Sequence, residues 1–286
     1  MPNNIDAFFE AVTKQETPEN ISELMFEGSR KNPNSFEHWF PFLSKCFDTP
    51  KSVFIPLTKE WFNWLVSDQY SNDRIEEFGC WLKRMMHEAG ADKLAYPLFL
   101  KGSCNSNKFS FKSCIIEHAD ISNYDLGKKA LDTFYFGMCG DRFQSGFVFR
   151  EFIKFDSRPS ESIYSGLPLR CEFRSFYDFK ERKVVAVFPY WDEKELVRVL
   201  PYLPLKERED YTAAAPRMAK TFEANKERVA NAVATSLCKV PVCPADIPCS
   251  DIWSLDFLLD EEDILWFIDA AEGPLSAYWE KVVHST

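Results

Sequence analysis

Asp251-Ile-Trp-Ser-Leu-Asp-Phe-Leu-Leu-Asp260, then Glu261-Glu-Asp263, then Ile264-Leu-Trp-Phe-Ile-Asp-Ala-Ala-Glu272 is the stretch on which the reading of this chain turns. Two apolar, aromatic-rich runs flanking a short acidic turn predict a β-hairpin. Asp256 falls in the middle of the first run and Asp269 near the end of the second, each among apolar neighbours. A carboxylate in that setting must be paired, protonated or bound to a cation, because burying it alone is costly. Mg²⁺ takes oxygen ligands, usually one or two carboxylates completed by phosphates and water. Two neighbouring strands that each present an Asp to one cleft meet that need. Glu272, three residues beyond Asp269, is expected as a third oxygen donor.

Upstream segments supply the opposite charge. Tyr96-Pro-Leu-Phe-Leu-Lys101 reads as a short strand that ends on a lysine and leads into the small, polar loop GSCNSNKFSF. An ammonium followed by loop amides suits phosphate oxygens. Lys112–Glu117 is expected to resume as a strand, and Asn123–Cys139 reads as a helix. Gly146–Phe155 follows as a strand carrying Arg150. Leu169–Tyr177 and Val184–Trp191 then form a hairpin around Asp178–Arg182. Alternation places Arg170, Glu172 and Arg174 on one strand face. Arg150 and Arg174 offer forked, permanently charged donors for phosphate or carboxylate.

The first 95 residues are expected to be mostly helical, apart from a short strand at Ser52–Pro56. Ile75, Phe78, Trp81, Leu82, Met85 and Met86 repeat at helix spacing, with Asn72 or Asp73 placed as cap and Gly90 as stop. Trp61, Trp64 and Leu65 read as core. A second long helix is expected over Glu207–Leu237, interrupted near Pro216.

Composition narrows the function classes. The chain has 286 residues, 45% of them hydrophobic and 27 of them Phe, so it can bury a sizeable core. A net charge of −10 argues against a nucleic-acid-binding surface, which needs a basic stripe. No apolar run is long enough to span a membrane, and the start MPNNIDAFFEAV does not have the pattern of a secretory signal. Nine cysteines, an odd number in a long chain, are expected as reduced thiols of a cytoplasmic protein, with Cys80 and Cys171 in the core. Cys238, Cys243 and Cys249 are spaced too widely for the usual zinc pattern. Walker and dinucleotide glycine motifs are missing, and the four histidines are scattered. Acids on one side with a lysine and two arginines on the other is the complement of a metal–nucleotide complex.

The order of these segments resembles the ATP-grasp superfamily, and within it the branch marked by two arginines and a lysine that includes the cell-division-cycle 123 family. The stretches that carry the resemblance are FVFREFIKF, LPLRCEFRSFYDFKERKVVAVFPYW and WSLDFLLDEEDILWFIDAAEGP, within residues 96–280. It implies an α+β fold in which two subdomains hold ATP between antiparallel sheets, over residues 96–145 and 146–286, behind a helical region at 1–95. Lys101 is then the phosphate-contacting lysine. Glu151, Phe152 and Ile153 are the linker that meets adenine, and Asp156 is a candidate for the ribose hydroxyls. Arg150 and Arg174 are the marker arginines, with Glu172 beside them, and Asp256 and Asp269 are magnesium ligands. The family pattern places Asn two residues after the second acid. This chain has Ala271 there, which puts the metal site and turnover in doubt unless Glu272 substitutes. ATP and Mg²⁺ are the implied cofactors. The implied activity is ligation of a carboxylate to an amine through an acylphosphate; the alternative is an ATP-dependent assembly factor for a protein partner.

Overall fold

The computed structural model describes residues 18–139, 143–153, 161–238, 240 and 250–284. The chain divides into two compact units. One comprises Met1–Glu37 and Lys51–Phe152, the other His38–Pro50 and Ile153–Thr286. The two together make an α+β protein built on antiparallel sheets.

In chain order the helices are α1 (Pro18–Arg30), α2 (Phe36–Leu43), α3 (Lys59–Val66), α4 (Asn72–Glu88), α5 (Phe111–Cys114) and α6 (Asn123–Cys139), then α7 (Glu193–Leu196), α8 (Leu205–Leu237) and α9 (Trp279–Val283). The first unit holds strands β1 (Ser52–Pro56), β2 (Leu98–Gly102), β3 (Ile115–Ile116) and β4 (Gly146–Glu151), in the order β1-β4-β2-β3. Strand alternation divides this sheet sharply. Ile55, Leu98, Leu100, Phe147 and Phe149 join the core formed with α3, α4 and α6, and full burial of such side chains contributes about 1.5–3 kcal/mol each. The alternate positions carry Lys101 and Arg150. Helices α4 and α6 touch at two glycines: a Cβ on Gly79 would lie 1.8 Å from the Asn123 carbonyl oxygen, and one on Gly127 would lie 2.1 Å from that of Ile75. Only hydrogen side chains permit that approach.

Several local expectations change. The cap of α4 is Ser71, whose Oγ accepts from Arg74 N at 3.2 Å, while Gly90 does stop the region in the left-handed conformation, φ 77°. Cys80 is exposed although it lies within the periodic stretch. Phe111–Cys114 forms a helical turn, which leaves only Ile115–Ile116 as strand where Lys112–Glu117 was expected.

The second unit holds the ribbon β5 (Ser162–Ile163) and β6 (Leu167–Pro168), and a sheet of β7 (Glu172–Asp178), β8 (Lys183–Pro189), β9 (Ile252–Leu259) and β10 (Leu265–Glu272) in the order β10-β9-β7-β8. Helix α8 continues through Pro216. Its buried Tyr211, Ala214, Met218 and Phe222 pack against the rest of the unit, with Phe222 stacked on Phe173 at 5.5 Å, and this packing outweighs the roughly 3 kcal/mol an interior proline costs. Trp39 and Phe47, from the short 38–50 segment, pack on Phe267 and Phe257 at 5.7 and 5.1 Å.

Candidate functional site

The cross-strand register of the second sheet gathers the predicted charges. Arg174 pairs with Asp256, and Asp256 in turn pairs with Asp269. Residues directly opposite on antiparallel strands share a face, so the three side chains form a row on β7, β9 and β10. A bulge makes this possible. Phe267 and Asp269 are two residues apart and would share a face in a regular strand, but the register shifts between them. Phe267 therefore pairs with Phe257 on the core side, and Asp269 emerges beside Asp256.

Arg174 holds Asp256 with both arms of its fork, Nε to Oδ1 at 2.8 Å and Nη2 to Oδ2 at 2.7 Å. The guanidinium lies over the Tyr190 ring at 4.7 Å. Burial alone would depress the Arg174 pKa; the Asp256 charge and hydrogen bonds, helped by Tyr190 and Asp269, raise it above the usual arginine range instead. Glu172, two residues earlier on the same face, accepts from Trp191 Nε1 at 3.0 Å. Asp269 Oδ1 accepts from the Ala270 amide at 3.1 Å.

Glu272 does not join this row. It lies three residues beyond Asp269 with no further register shift, so strand parity turns it to the opposite face, where it pairs with Trp253. Its Oε1 accepts from Ser250 N at 2.6 Å. Among the described residues no group of three or more His, Cys, Asp or Glu side chains is arranged to hold a metal ion. Of the three acids expected together, the register brings Asp256 and Asp269 side by side and sets Glu272 on the other face. Two residues from Asp256 along β9, the same face carries a hydroxyl: Ser254 Oγ lies 2.5 Å from Ser276 Oγ. Nothing in the sequence marked these serines. Arg170 also leaves the trio expected on one strand face, because β7 begins only at Glu172. Its charge interacts with Glu261, Arg217 and Glu161, and burial lowers its pKa to about 10.

The first sheet has a charged face of its own. Phe99 pairs with Arg150 and Lys101 with Val148, so Lys101 and Arg150 share the side away from the helical core. Both are buried. Arg150 Nε donates to Ser52 Oγ at 3.1 Å, and its guanidinium lies 5.7 Å from the Phe36 ring centroid. The loop after Lys101 is anchored by residues no motif indicated. Ser103 and Ser145 are 3.0 Å apart, Ser145 donates to Glu37 at 2.5 Å, and Ser35 donates to the same carboxylate at 2.5 Å. Cys104 N donates to Gln144 Oε1 at 2.9 Å, and that oxygen would lie 2.2 Å from a Cβ at position 102, which explains Gly102.

In the predicted adenine linker, the Glu151 and Phe152 amides already donate to Lys51 O and Pro97 O, at 2.9 and 3.0 Å. The chain passes from the first unit to the second between Phe152 and Ile153. Asp156 lies outside the described residues.

No protein-family model matches the sequence, and no curated protein matches it. Solved structures do resemble the chain. The biotin carboxylase domain of 2-oxoglutarate carboxylase from Hydrogenobacter thermophilus, in complex with MgADP, ADP and bicarbonate, aligns at 10% identity and a TM-score of 0.42, over 94% of this chain and 51% of that one. VanG D-Ala:D-Ser ligase from Enterococcus faecalis aligns at 13% identity and a TM-score of 0.39, over 90% and 59%. N5-carboxyaminoimidazole synthase from Aspergillus clavatus, in complex with ADP and 5-aminoimidazole ribonucleotide, aligns at 10% and 0.36, over 83% and 44%. The chain spans about half the length of these proteins. Among the described residues, no helix is long and apolar enough to cross a membrane.

Proposed function

We propose that this chain is an ATP-grasp-type protein that binds Mg-ATP. The observation that carries the reading is the Arg174–Asp256–Asp269 row, which sets two carboxylates and a forked cation side by side on one sheet face. Asp256 and Asp269 are assigned to the metal, and Arg174, Arg150 and Lys101 to phosphate oxygens. Glu172 is assigned to the nucleotide beside Arg174. The adenine linker keeps Glu151, Phe152 and Ile153, with amide contact falling to Ile153 since the other two amides are engaged, and Asp156 remains assigned to the ribose. Magnesium, when bound, would neutralise phosphate charge and align the transferring phosphoryl group. Calorimetry with Mg-ATP tests the binding. Heat of binding lost in Asp269→Ala is the expected result, and no binding by the wild-type chain would sink the reading.

As an enzyme the protein would transfer the terminal phosphoryl group of ATP to a carboxylate, releasing ADP. An amine would then attack the acylphosphate and expel phosphate to leave an amide. Arg174 and Arg150 would stabilise the transferring charge. ADP release that depends on a carboxylate acceptor is the corresponding assay. One observation favours a second reading, an ATP-dependent binding factor for a protein partner. With Ala271 on the Asp269 face and Glu272 turned away, the row offers two acids where the family pattern has a third ligand, which suits binding better than turnover. Capture of one stoichiometric partner, lost in Asp256→Ala and without measurable ADP release, would decide for it.

A further inference from the structure

We propose that Arg174 makes the Asp256 carboxylate selective for a divalent metal carried on a polyphosphate over the free divalent cation. The inference rests on the Mg-nucleotide reading above. Both oxygens of Asp256 accept a charge-assisted hydrogen bond from one guanidinium, at 2.8 and 2.7 Å. That guanidinium is also held on its face by Tyr190, whose own backbone amide donates to the Glu172 carbonyl at 2.9 Å. A free cation approaching Asp256 meets a fixed positive charge on the two oxygens it seeks. It also brings nothing to accept the hydrogen bonds the guanidinium would lose, and a buried charge stripped of its partner is strongly disfavoured.

A metal–polyphosphate complex brings both halves of the exchange. Asp256 would hold the metal, and the Arg174 fork would hold phosphate oxygens, which its planar geometry suits. Every buried charge ends paired. Asp269, in the next register position and within the field of Arg174, gives the metal its second carboxylate. Tyr190 is a positioning residue here: it keeps the guanidinium plane fixed while the edge changes partners. By linkage, the factor by which polyphosphate tightens metal binding equals the factor by which metal tightens polyphosphate binding.

The experiment titrates Mn²⁺ into the full chain, alone and with the non-hydrolysable ATP analogue AMPPNP, and obtains protein-bound Mn²⁺ by electron paramagnetic resonance against the same titration of the analogue without protein. In the wild type, Mn²⁺ alone should bind at least about tenfold more weakly than with the analogue. Arg174→Met keeps a stem over Tyr190 but has no fork. It should tighten Mn²⁺ alone several-fold and lower the coupling by a similar factor, leaving what direct metal–phosphate ligation supplies. Tyr190→Ala should lie between, and Tyr190→Phe should match the wild type. The Arg174 Nε–H resonance, read by NMR in the unmutated chain, should move with Mg-AMPPNP and stay in place with Mg²⁺ alone. Should Arg174→Met bind free Mn²⁺ no more tightly than wild type while AMPPNP still binds, the proposal fails by itself. A resonance that moves equally with Mg²⁺ alone overturns it as well. If the wild type binds no nucleotide with any metal, the reading beneath it fails and the proposal goes with it.

Discussion

Asp256→Ala should destabilise the second unit in the complete absence of ligand. The Arg174 and Asp256 side chains retain only 13% and 9% of their surface exposed, so the pair is shielded from the solvent that makes surface ion pairs nearly neutral. Removing one partner from a buried pair typically costs about 3–5 kcal/mol, because the other charge is left without compensation. Here the lower end applies, since Asp269 stays within the field of Arg174 and Tyr190 still covers its face. At roughly 2–4 °C per kcal/mol for units of this size, the melting temperature should fall by about 6–12 °C. Differential scanning calorimetry on ligand-free protein measures it. The double variant Arg174→Met/Asp256→Leu should recover most of the loss, because an apolar pair of similar volume avoids desolvating either charge. A drop below about 1 kcal/mol in the single variant, or a double variant as unstable as the single one, would refute the claim that the pair is buried and coupled.

Further outcomes follow from other features. Gly79→Ala should force α4 from α6 and cost about 1–3 kcal/mol by denaturant titration, since its new Cβ would meet backbone at 1.8 Å rather than a yielding side chain. Exposed Cys80 and Cys238 should react with a thiol reagent in the native state, as mapped by peptide mass spectrometry, whereas Cys114 and Cys171 should react only after unfolding. Burial pushes both of the latter to about 12. The same shift sets an alkaline limit. Below pH 9 both states keep these thiols protonated and their contribution is intact. Between 9 and about 12 the unfolded chain ionises first, so stability should fall by up to about 1.4 kcal/mol per pH unit per thiol. A Cys114→Ala/Cys171→Ala chain should show a shallower decline in melting temperature above pH 9.

The sequence was most legible where local chemistry and pairing agree. The hairpin of β9 and β10 follows from two apolar runs about an acidic turn, and α6 appears with the bounds its periodicity predicts. Composition is equally blind and useful elsewhere: it shows that Asp256 needs a partner without showing that Arg174, 82 positions away, supplies it. Asp269 reaches the charged face only because of the shift after Phe267, and no residue in LWFIDAAE announces a bulge. Counting parity along a regular strand therefore misleads on one side of it, while the same parity removes Glu272 on the other. The misreading at Lys112–Glu117 has a different cause. A four-residue helical turn is too short to show a period. The Ser35–Glu37–Ser103–Ser145 group joins three separate stretches, and a polar residue in each reads as ordinary loop chemistry until the fold brings them together.

The division of the chain carries a consequence for its synthesis. Trp39 and Phe47 emerge from the ribosome long before the strands they cover, and Phe267 N donates to Asp48 O, a residue far earlier in the chain. Residues 38–50 are thus a fragment of the second unit translated inside the first. Until β9 and β10 are made, those aromatics lack Phe257 and Phe267, the rings they cover in the finished unit. A gene fragment beginning at Ile153 would lack them altogether, so the second unit cannot be produced as one uninterrupted segment unless 38–50 is grafted back or supplied in trans.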